Sequence, residues 1–400
     1  MKKNLLPVGE ARQRLLQSQQ ALPKEKIPLH KAYHRVLAQT IKAAQDRPAF
    51  DRSAMDGYAI SNKQDASYLI LGEIPAGVKT PAKLKSGRCL RIYTGSTLPS
   101  NCLAVIPQEQ VAVFGKQMRV IDWPKNTFIR RRGEDAKRGN VLLGSGARLQ
   151  APELAVLAQE GIVQPCVYKR VRVSHLAMGK ELADPASKPR SGQIRDSNSS
   201  LIAALLQHPP YQLAAQRRVG DTPAAALRFF NSRAVRDSHV LVISGGAGSG
   251  DHDWGRHLIH QLGFHILSDG VDLRPGKPLI VARKKSQTLF VLPGNPVSHW
   301  VTWQLFVRPL LLCLSGLDPQ PTIIQTRLNS AWKHNSDLRH VWWPGHLFYR
   351  DGQTHVSPLA LKSSGDASRL CGANSLIHFP HGKEVFQPGD EVATMICEPL

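Results

Sequence analysis

HVLVISGGAGSGDHDW, residues 239–254, is the stretch on which the reading of this chain turns. Val240 to Ile243 form an unbroken apolar run without alternation, the pattern of a strand covered on both faces. Glycines follow at 245, 246, 248 and 250, and then Asp251 and Asp253 open a helix. Strand, glycine loop and helix in this order mark the carboxyl end of a strand in an open α/β sheet, where such sheets bind ligands. Gly245, Gly246 and Gly250 let backbone N–H groups approach a ligand, and a helix N-terminus favours an oxyanion. The same glycines also suit a tight connection with no ligand at all, and the spacing matches neither the Walker pattern nor the dinucleotide fingerprint.

Outward from this stretch, residues 170–316 alternate strand and helix: VRVSHL, LIAALLQH, QLAAQRRV, a helix begun by Thr222 and Pro223, the quoted strand, LIVA, LFVL and a last long helix. Such alternation predicts a mostly parallel sheet with helices on both faces, an αβα sandwich. Upstream, Val8 to Gln19 has helical spacing, and APELAVLAQEGI reads as a helix closed by Gly161. Between them, residues 60–120 break into short apolar runs separated by Gly, Pro, Ser and Asn, the signature of a small sheet or barrel. Beyond Leu317 the helix signals stop and strand candidates return, which predicts a separate C-terminal β domain. The fold class expected is therefore multidomain, α/β at its centre and α+β as a whole.

With 400 residues and 42% apolar side chains the chain can bury several cores. Its start lacks an apolar h-region and a small-residue cleavage site, so it does not read as a secretory signal. LFVRPLLLCLSGL is interrupted by Arg308 and Pro309 and reads as a buried helix rather than a membrane span. The six cysteines show no CxxC and no metal-finger spacing, as expected of free thiols in the cytoplasm. Against 30 acidic side chains stand 52 basic ones, a formal net charge of +22, which favours anionic partners. The basic residues are spread along the chain and no ribonucleoprotein motif or zinc finger accompanies them, so no specific nucleic-acid role is expected.

Four further segments carry candidate chemistry. In LFVLPGNPVSHW, Pro293 and Pro296 stiffen a strand-to-helix junction, and Asn295 is placed to cap the helix. In VDLRPGKPLIVA, Arg274 and Lys277 flank a Pro-Gly turn, as an anion clamp or as solvated surface charge. FDRSAMDGYAI sets Asp51 and Asp56 in a turn before a strand, a source of oxygen ligands for a hard cation. IRRRGEDAKRG sets Arg130, Arg131 and Arg132 beside Glu134 and Asp135, phosphate-gripping cations next to cation-binding carboxylates, or simply an exposed charged turn.

Taken in order, FDRSAMDGYAI, IYTGSTLP, IRRRGED, RVSHLAMGKEL, GQIRDSN, ISGGAGSGDHDW, RPGKP and LPGNPVS resemble the motif series of the molybdopterin molybdenumtransferase family, called MoeA in bacteria and present in the C-terminal region of gephyrin. The resemblance runs from about Leu29 to Pro399. It implies an elongated homodimer whose active site lies at the subunit boundary beside the α/β domain. It also implies four domains per chain, placed here at 1–44 with 125–169 (helical and extended), 45–124 (an inserted small β domain), 170–316 (the αβα molybdopterin-binding domain) and 317–400 (a β-barrel-like domain). The implied reaction takes adenylylated molybdopterin and molybdate as substrates, cleaves the adenylate with a divalent cation such as Mg2+, inserts the metal into the dithiolene and releases AMP.

Carried over by motif, Asp56, Asp135, Glu181, Asp196 and Asp253 are the candidates for catalysis, with Asp56, Asp135, Glu181 and Asp253 as metal ligands. Thr94, Arg130, Arg274, Lys277, Pro293, Pro296 and Ser364 match positions that line the cleft or hold cofactor and molybdate, beside the glycines named above. Ser364 is matched through Lys362-Ser363-Ser364, which stands for the family's QGS. Other departures are Lys180 for an aspartate, Arg195 for an aromatic, Arg274 for a lysine and, in the glycine loop, AGSGDHDW for the more usual VSxGxxDY. The implied partners are a second copy of the chain, the molybdopterin adenylyltransferase and molybdoenzyme maturation proteins. The competing expectation is a paralogue that keeps the fold and binds cofactor as a scaffold while inserting metal poorly, motivated by Lys180 and the altered glycine loop.

Overall fold

The computed structural model describes residues 5–63, 67–78, 80, 82–220, 222–246, 254–333 and 339–397. The chain forms two compact units, one of Thr40–Ser145 with Ala155–Ile162 and the other of Met1–Gln39, Gly146–Leu154 and Val163–Leu400.

The first unit is built on a six-stranded sheet of β1 (Gly57–Ile60), β2 (Ser67–Ile74), β3 (Arg88–Ile92), β4 (Ala104–Pro107), β5 (Val111–Phe114) and β6 (Gln117–Val120), in the order β4-β1-β3-β2-β6-β5. β1 is paired on both sides and buried along its length. Gly57 begins it because a Cβ there would sit 2.1 Å from the Ile106 carbonyl oxygen, closer than any side chain allows. Tyr58, Ile60, Tyr68, Cys89, Ile106 and Met118 close the core on one face.

The larger unit contains the expected α/β sheet: β7 (Val171–Met178), β8 (Tyr211–Val219), β9 (Val240–Ser244), β10 (His265–Asp269), β11 (Ile280–Lys284) and β12 (Gln287–Leu292), in the order β8-β7-β9-β12-β11-β10. β8, β7, β9 and β12 pair in parallel, and β11 runs antiparallel to both its neighbours. Alternation along β9 shows why Val240–Ile243 is apolar at every position. Val240 and Val242 face a core closed by α1 (Val8–Leu16), α2 (Asn198–Leu205) and α5 (Pro296–Thr302), while Leu241 and Ile243 face one closed by α3 (Pro223–Phe230) and α4 (Trp254–Gln261). Successive strand residues point to opposite faces, so a strand with helices on both sides can keep no polar face.

α1 belongs to this sandwich: Val8, Ala11 and Leu15 are buried with Val171, Val240 and Phe290. The last helical stretch runs from α5 through a π-helical turn at Trp303–Val307 into α6 (Arg308–Leu314), with Trp303 and Phe306 fully buried. Among the described residues no helix is long and apolar enough to cross a membrane.

The expected C-terminal β domain is a closed barrel of β13 (Ile323–Leu328), β14 (His340–Arg350), β15 (Gln353–Pro358), β16 (Ser375–Phe379) and β17 (Glu391–Ile396). The order is β14-β15-β13-β17-β16, with β16 pairing back onto β14. Closure leaves none of the five as a bare edge. Val271–Arg274 extends this sheet by pairing in parallel with β14, Leu273 opposite His340 and Arg274 opposite Val341, and Leu6–Pro7 pairs on the outside of it. The arginine of the RPGKP turn is thereby tied to the barrel while the chain on either side of it belongs to the sandwich.

Candidate functional site

Three neighbouring parallel strands, β7, β9 and β12, end at one cavity of about 850 Å³ in the larger unit. Gly179 and Glu181 follow β7, Gly245 and Gly246 follow β9, and Pro293, Gly294 and Asn295 follow β12. The opposite wall is the turn from Arg274 to Pro278, with Arg339 and Trp343 at the barrel and Lys362, Ser363 and Ser364 beyond it. A cavity at the strand ends of an open sheet is what the strand order leads one to expect.

Two glycines have steric reasons to be there. Gly245 has φ of +90°, and a Cβ on it would lie 2.5 Å from the Met178 carbonyl oxygen. Gly276, in the RPGKP turn, has φ of +127°, and its Cβ would meet Leu273 and Thr302 at 2.7 Å. A larger residue at either would push the loop into the cavity or off the sheet.

Among the described lining residues the ionisable side chains are Arg274, Lys277, Arg339 and Lys362 on one hand and Glu181 alone on the other. Four cations around one carboxylate make the cavity a receptor for an anion. Glu181 is exposed, its carboxylate folded back over Gly179, where a Cβ would meet Oε1 at 2.5 Å. Lys180, the departure that raised the possibility of a weakened site, is exposed and does not line the cavity.

Asn295 corrects one expectation. It stands at the N-cap position of α5, yet its side chain makes no capping bond. Its Nδ2 donates instead to Ser364 Oγ at 2.8 Å, and the Val297 N–H donates to the Ser364 carbonyl at 3.0 Å. The side chain is drawn off the helix because Ser364 offers it an acceptor beside the cavity. This pairing also fixes Ser364, the residue with the least sequence support, against the strand-end loop.

Glu181, Gly245, Gly246, Arg274, Lys277, Pro293 and Ser364 therefore share one cavity. Gly250 and Asp253 lie outside the described residues. Asp196 is elsewhere: it is buried at the start of α2, accepting from the Ser199 N–H at 3.0 Å and from Ser199 Oγ at 2.5 Å. Pro296 faces a shallow groove with Trp300 and Leu370. Arg339, Trp343 and Ser363 were missed. Arg339 precedes a strand that reads as ordinary β structure, and nothing local in DLRHVWW announces that it faces glycine loops far away in sequence.

The smaller unit gathers its own motifs. Arg52–Ser53 pairs antiparallel with Ile129–Arg130, and the Gly95 N–H donates to the Ser53 carbonyl at 2.9 Å, so FDRSAMDGYAI, IYTGSTLP and IRRRGED meet. Asp56 Oδ1 accepts from both the N–H and the hydroxyl of Thr94 at 2.7 Å, and these two bonds, the backbone one first, hold its carboxyl below the ordinary range. Arg130 is ion-paired with Asp135. Arg131 binds Asp51 and Arg132 binds Asp46, each at 2.7 Å. Burial raises the Asp51 carboxyl, but the Arg132 N–H and the Arg131 side chain outweigh it and hold the group low. The alternation of arginine and carboxylate in this loop is thus largely spent on internal pairing. Among the described residues no three His, Cys, Asp or Glu side chains converge as a metal cage would require.

The α/β sheet whose strand ends form this cation-lined cavity falls in the class that residues 174–312 match, a probable molybdopterin binding domain. Residues 6–161 match the MoeA N-terminal region (domain I and II), and residues 325–396 the MoeA C-terminal region (domain IV). The chain belongs to the MoeA family of molybdopterin molybdenumtransferases. It is 32% identical to the molybdopterin molybdenumtransferase of Nostoc sp. over 93% of this chain and 88% of that one. The enzyme of the same name from Staphylococcus aureus is 28% identical over 99% of this chain and 97% of its own length. The crystal structure of the molybdopterin biosynthesis MoeA protein from Pyrococcus horikoshii OT3 superposes with a TM-score of 0.81 at 26% identity, covering 98% of this chain and 100% of that one.

Proposed function

We propose that this chain is a molybdopterin molybdenumtransferase that takes molybdenum from molybdate into adenylylated molybdopterin and releases AMP. The observation that carries the proposal is the charge of the cavity, four cations to one carboxylate among the described lining residues, over strand-end loops rich in glycine. Molybdate is a dianion and the adenylylated pterin carries a phosphoanhydride, so both substrates gain from the same positive lining.

On this reading Arg274, Lys277 and Arg339 hold the oxyanion against Ser363 and Ser364, while Gly245 and Gly246 let a phosphate approach the backbone at the end of β9. The pairing of Asn295 with Ser364 keeps the two walls in register. Glu181, the one carboxylate among the described lining residues, is proposed to hold a Mg2+ ion that would take its remaining ligands from water and substrate phosphate. Bound there, Mg2+ would neutralise charge on the phosphoanhydride as water displaces the AMP group. Asp253 and Gly250, which follow Gly246 in the sequence, are proposed to act with Glu181. Asp56, oriented by Thr94, and Asp135, held by Arg130, are proposed as further acids of the reaction, and Asp196 as a support of the β7-side loop.

The chain is further proposed to work as a homodimer in the cytoplasm, and to receive its substrate from an adenylyltransferase and pass its product to molybdoenzyme maturation proteins. Sedimentation should return the mass of two chains. The test of the activity is direct: purified protein incubated with adenylylated molybdopterin, molybdate and Mg2+ should release AMP and yield cofactor that activates an apo-molybdoenzyme. Tight binding of the substrate without either product would overturn the enzyme reading in favour of a cofactor-binding scaffold.

A further inference from the structure

Beneath the cavity runs a chain of hydrogen bonds that none of the roles above uses, exposed at its Gln216 end and buried from His175 onward. Gln216 Nε2 donates to the Ser199 carbonyl at 2.9 Å and lies 3.0 Å from His175 Nδ1. His175 Nε2 is 2.7 Å from Ser244 Oγ, and Ser244 Oγ is 2.8 Å from His299 Nε2. His175 and His299 have no exposed surface, and Ser244 is 2% exposed.

The directions of these bonds follow from the first of them. A carbonyl only accepts, so the atom of Gln216 facing Ser199 is the amide nitrogen, which must also donate to His175 Nδ1. His175 then carries its hydrogen on Nε2 and donates to Ser244. The single hydrogen of Ser244 passes on to His299 Nε2, and His299 keeps its own hydrogen on Nδ1. Burial pushes His175 down to about 4 and His299 down to about 3, so both rings are neutral near pH 7, as this arrangement requires.

The three buried members lie on the segments that form the cavity wall. Ser244 precedes Gly245, His299 follows Ser298, and Met178 lies at the end of the strand that carries His175. The surrounding core, with Val242, Leu292, Val297 and Val301, is apolar and packs without strong directional preference. Hydrogen bonds are directional, so the chain supplies what that packing lacks: a fixed register of α5 against β7 and β9. We propose that Ser244 is a positioning residue of the cavity, its hydroxyl holding the Asn295–Ser298 segment and the Gly245–Gly246 backbone at the spacing an oxyanion substrate requires.

Only the ligand arm of the test rests on the proposed function. The first arm is hydrogen exchange of the full chain. In Ser244→Ala the Val297 and Gly245 amides should exchange at least ~10-fold faster relative to the mid-strand Val242 amide, and Ser244→Thr, which keeps the hydroxyl, should restore them. Unchanged relative exchange at Val297 and Gly245 would overturn the proposal. In the second arm, molybdate alone is titrated calorimetrically into each protein; Ser244→Ala should bind it about tenfold more weakly and Ser244→Thr like the parent, as loss of a spacing held by two bonds implies. A variant that merely unfolds at lower temperature but binds molybdate with unchanged affinity would also overturn it. If the parent itself binds no molybdate while the exchange arm succeeds, the functional reading fails and the positioning role stands. Should Ser244→Ala not fold, Ser244→Cys, similar in size but a weaker donor, carries the same comparison. Independently, nitrogen-15 histidine spectra should show His175 as the Nε2–H tautomer and His299 as the Nδ1–H tautomer; the opposite pair would contradict the chain.

Discussion

Lowering the pH from 8 to 5 should destabilise the α/β core through His175 and His299, well before any carboxylate protonates. Burial depresses the two rings to about 4 and about 3, against about 6.5 in an unfolded chain. Because the folded values are the lower ones, the unfolded chain takes up protons that the folded chain refuses. The two groups therefore cost nothing above the unfolded value, and stability falls as the pH drops below it towards the folded values. At pH 5 an unfolded histidine is ~97% protonated and the folded rings ~10% or less, so each costs about 2 kcal/mol relative to pH 8 and the pair roughly 4. That is a large share of the roughly 5–15 kcal/mol that holds a typical domain together. Asp46, Asp51 and Asp56 are held below their ordinary values, so their contribution disappears only at more acid pH and does not enter this window. His378 and His239 are also lowered by burial and act in the same direction, which is why the informative variant is His299→Gln. Urea titrations at pH 5, 6, 7 and 8 should give a steeper pH dependence for the parent than for His299→Gln, by about one linked proton near pH 5. Equal slopes would show that His299 is not held neutral in the folded protein, and the directional chain through Ser244 would fall with it.

Gly245→Ala should cost about 1–3 kcal/mol from its backbone conformation alone and more from the clash with Met178, and should weaken molybdate binding by calorimetry; wild-type affinity would mean the loop is not built to its present spacing. Arg274→Ala should raise the molybdate dissociation constant by about 10- to 100-fold, as expected for a lost charge-assisted bond, with the effect shrinking at high salt, and an unchanged constant would remove the RPGKP turn from the anion site. In the smaller unit, Arg47 is ion-paired with the largely buried Glu160, which also accepts from the Ala44 N–H at 2.7 Å. Removing the partner in Glu160→Ala should destabilise that unit by about 3–5 kcal/mol, read as faster exchange of the Ala44 amide and its neighbours; a silent variant would mean the pair is solvated. Asp56→Asn should abolish turnover while far-UV circular dichroism stays unchanged, and normal turnover would exclude the acid from the mechanism.

Much of the fold is legible in local pattern. The run Val240–Ile243 reads as a strand covered on both faces, and the two clusters that share its alternate residues are what that reading leads to. The closing turn of APELAVLAQEGI is likewise visible, Gly161 taking φ of +70° after Ala151–Gln159. What local pattern does not carry is the partner across space. Asn295 reads as a cap because Asn before Pro at a helix start usually is one, and the competing acceptor, Ser364, is remote in sequence. Arg274 reads as a turn cation, whereas its strand joins the barrel through β14.

The candidate site divides in the same way. Glycines and the Arg274–Lys277 pair announce themselves because their geometry is local, while Arg339 and Trp343 reach the cavity only through barrel closure. His175, Ser244 and His299 escape altogether, since a histidine within an apolar strand or helix gives no sign of whether it is a surface residue or the link in a buried chain. The arginine-acid loop at residues 130–135 shows the converse: a pattern that reads either as an anion and metal site or as an exposed charged turn pairs its arginines with Asp135 of the loop itself and with Asp51 and Asp46 of the preceding segment.

The claim on which the functional account depends is that one cavity, at the ends of β7, β9 and β12, receives the oxyanion and the nucleotide-linked pterin. A crystal structure of the protein soaked with molybdate and AMP tests it most directly. The account requires molybdate density within hydrogen-bond distance of Arg274, Lys277 or Ser364. Ligands bound reproducibly on another surface, with this cavity holding only solvent, would contradict it.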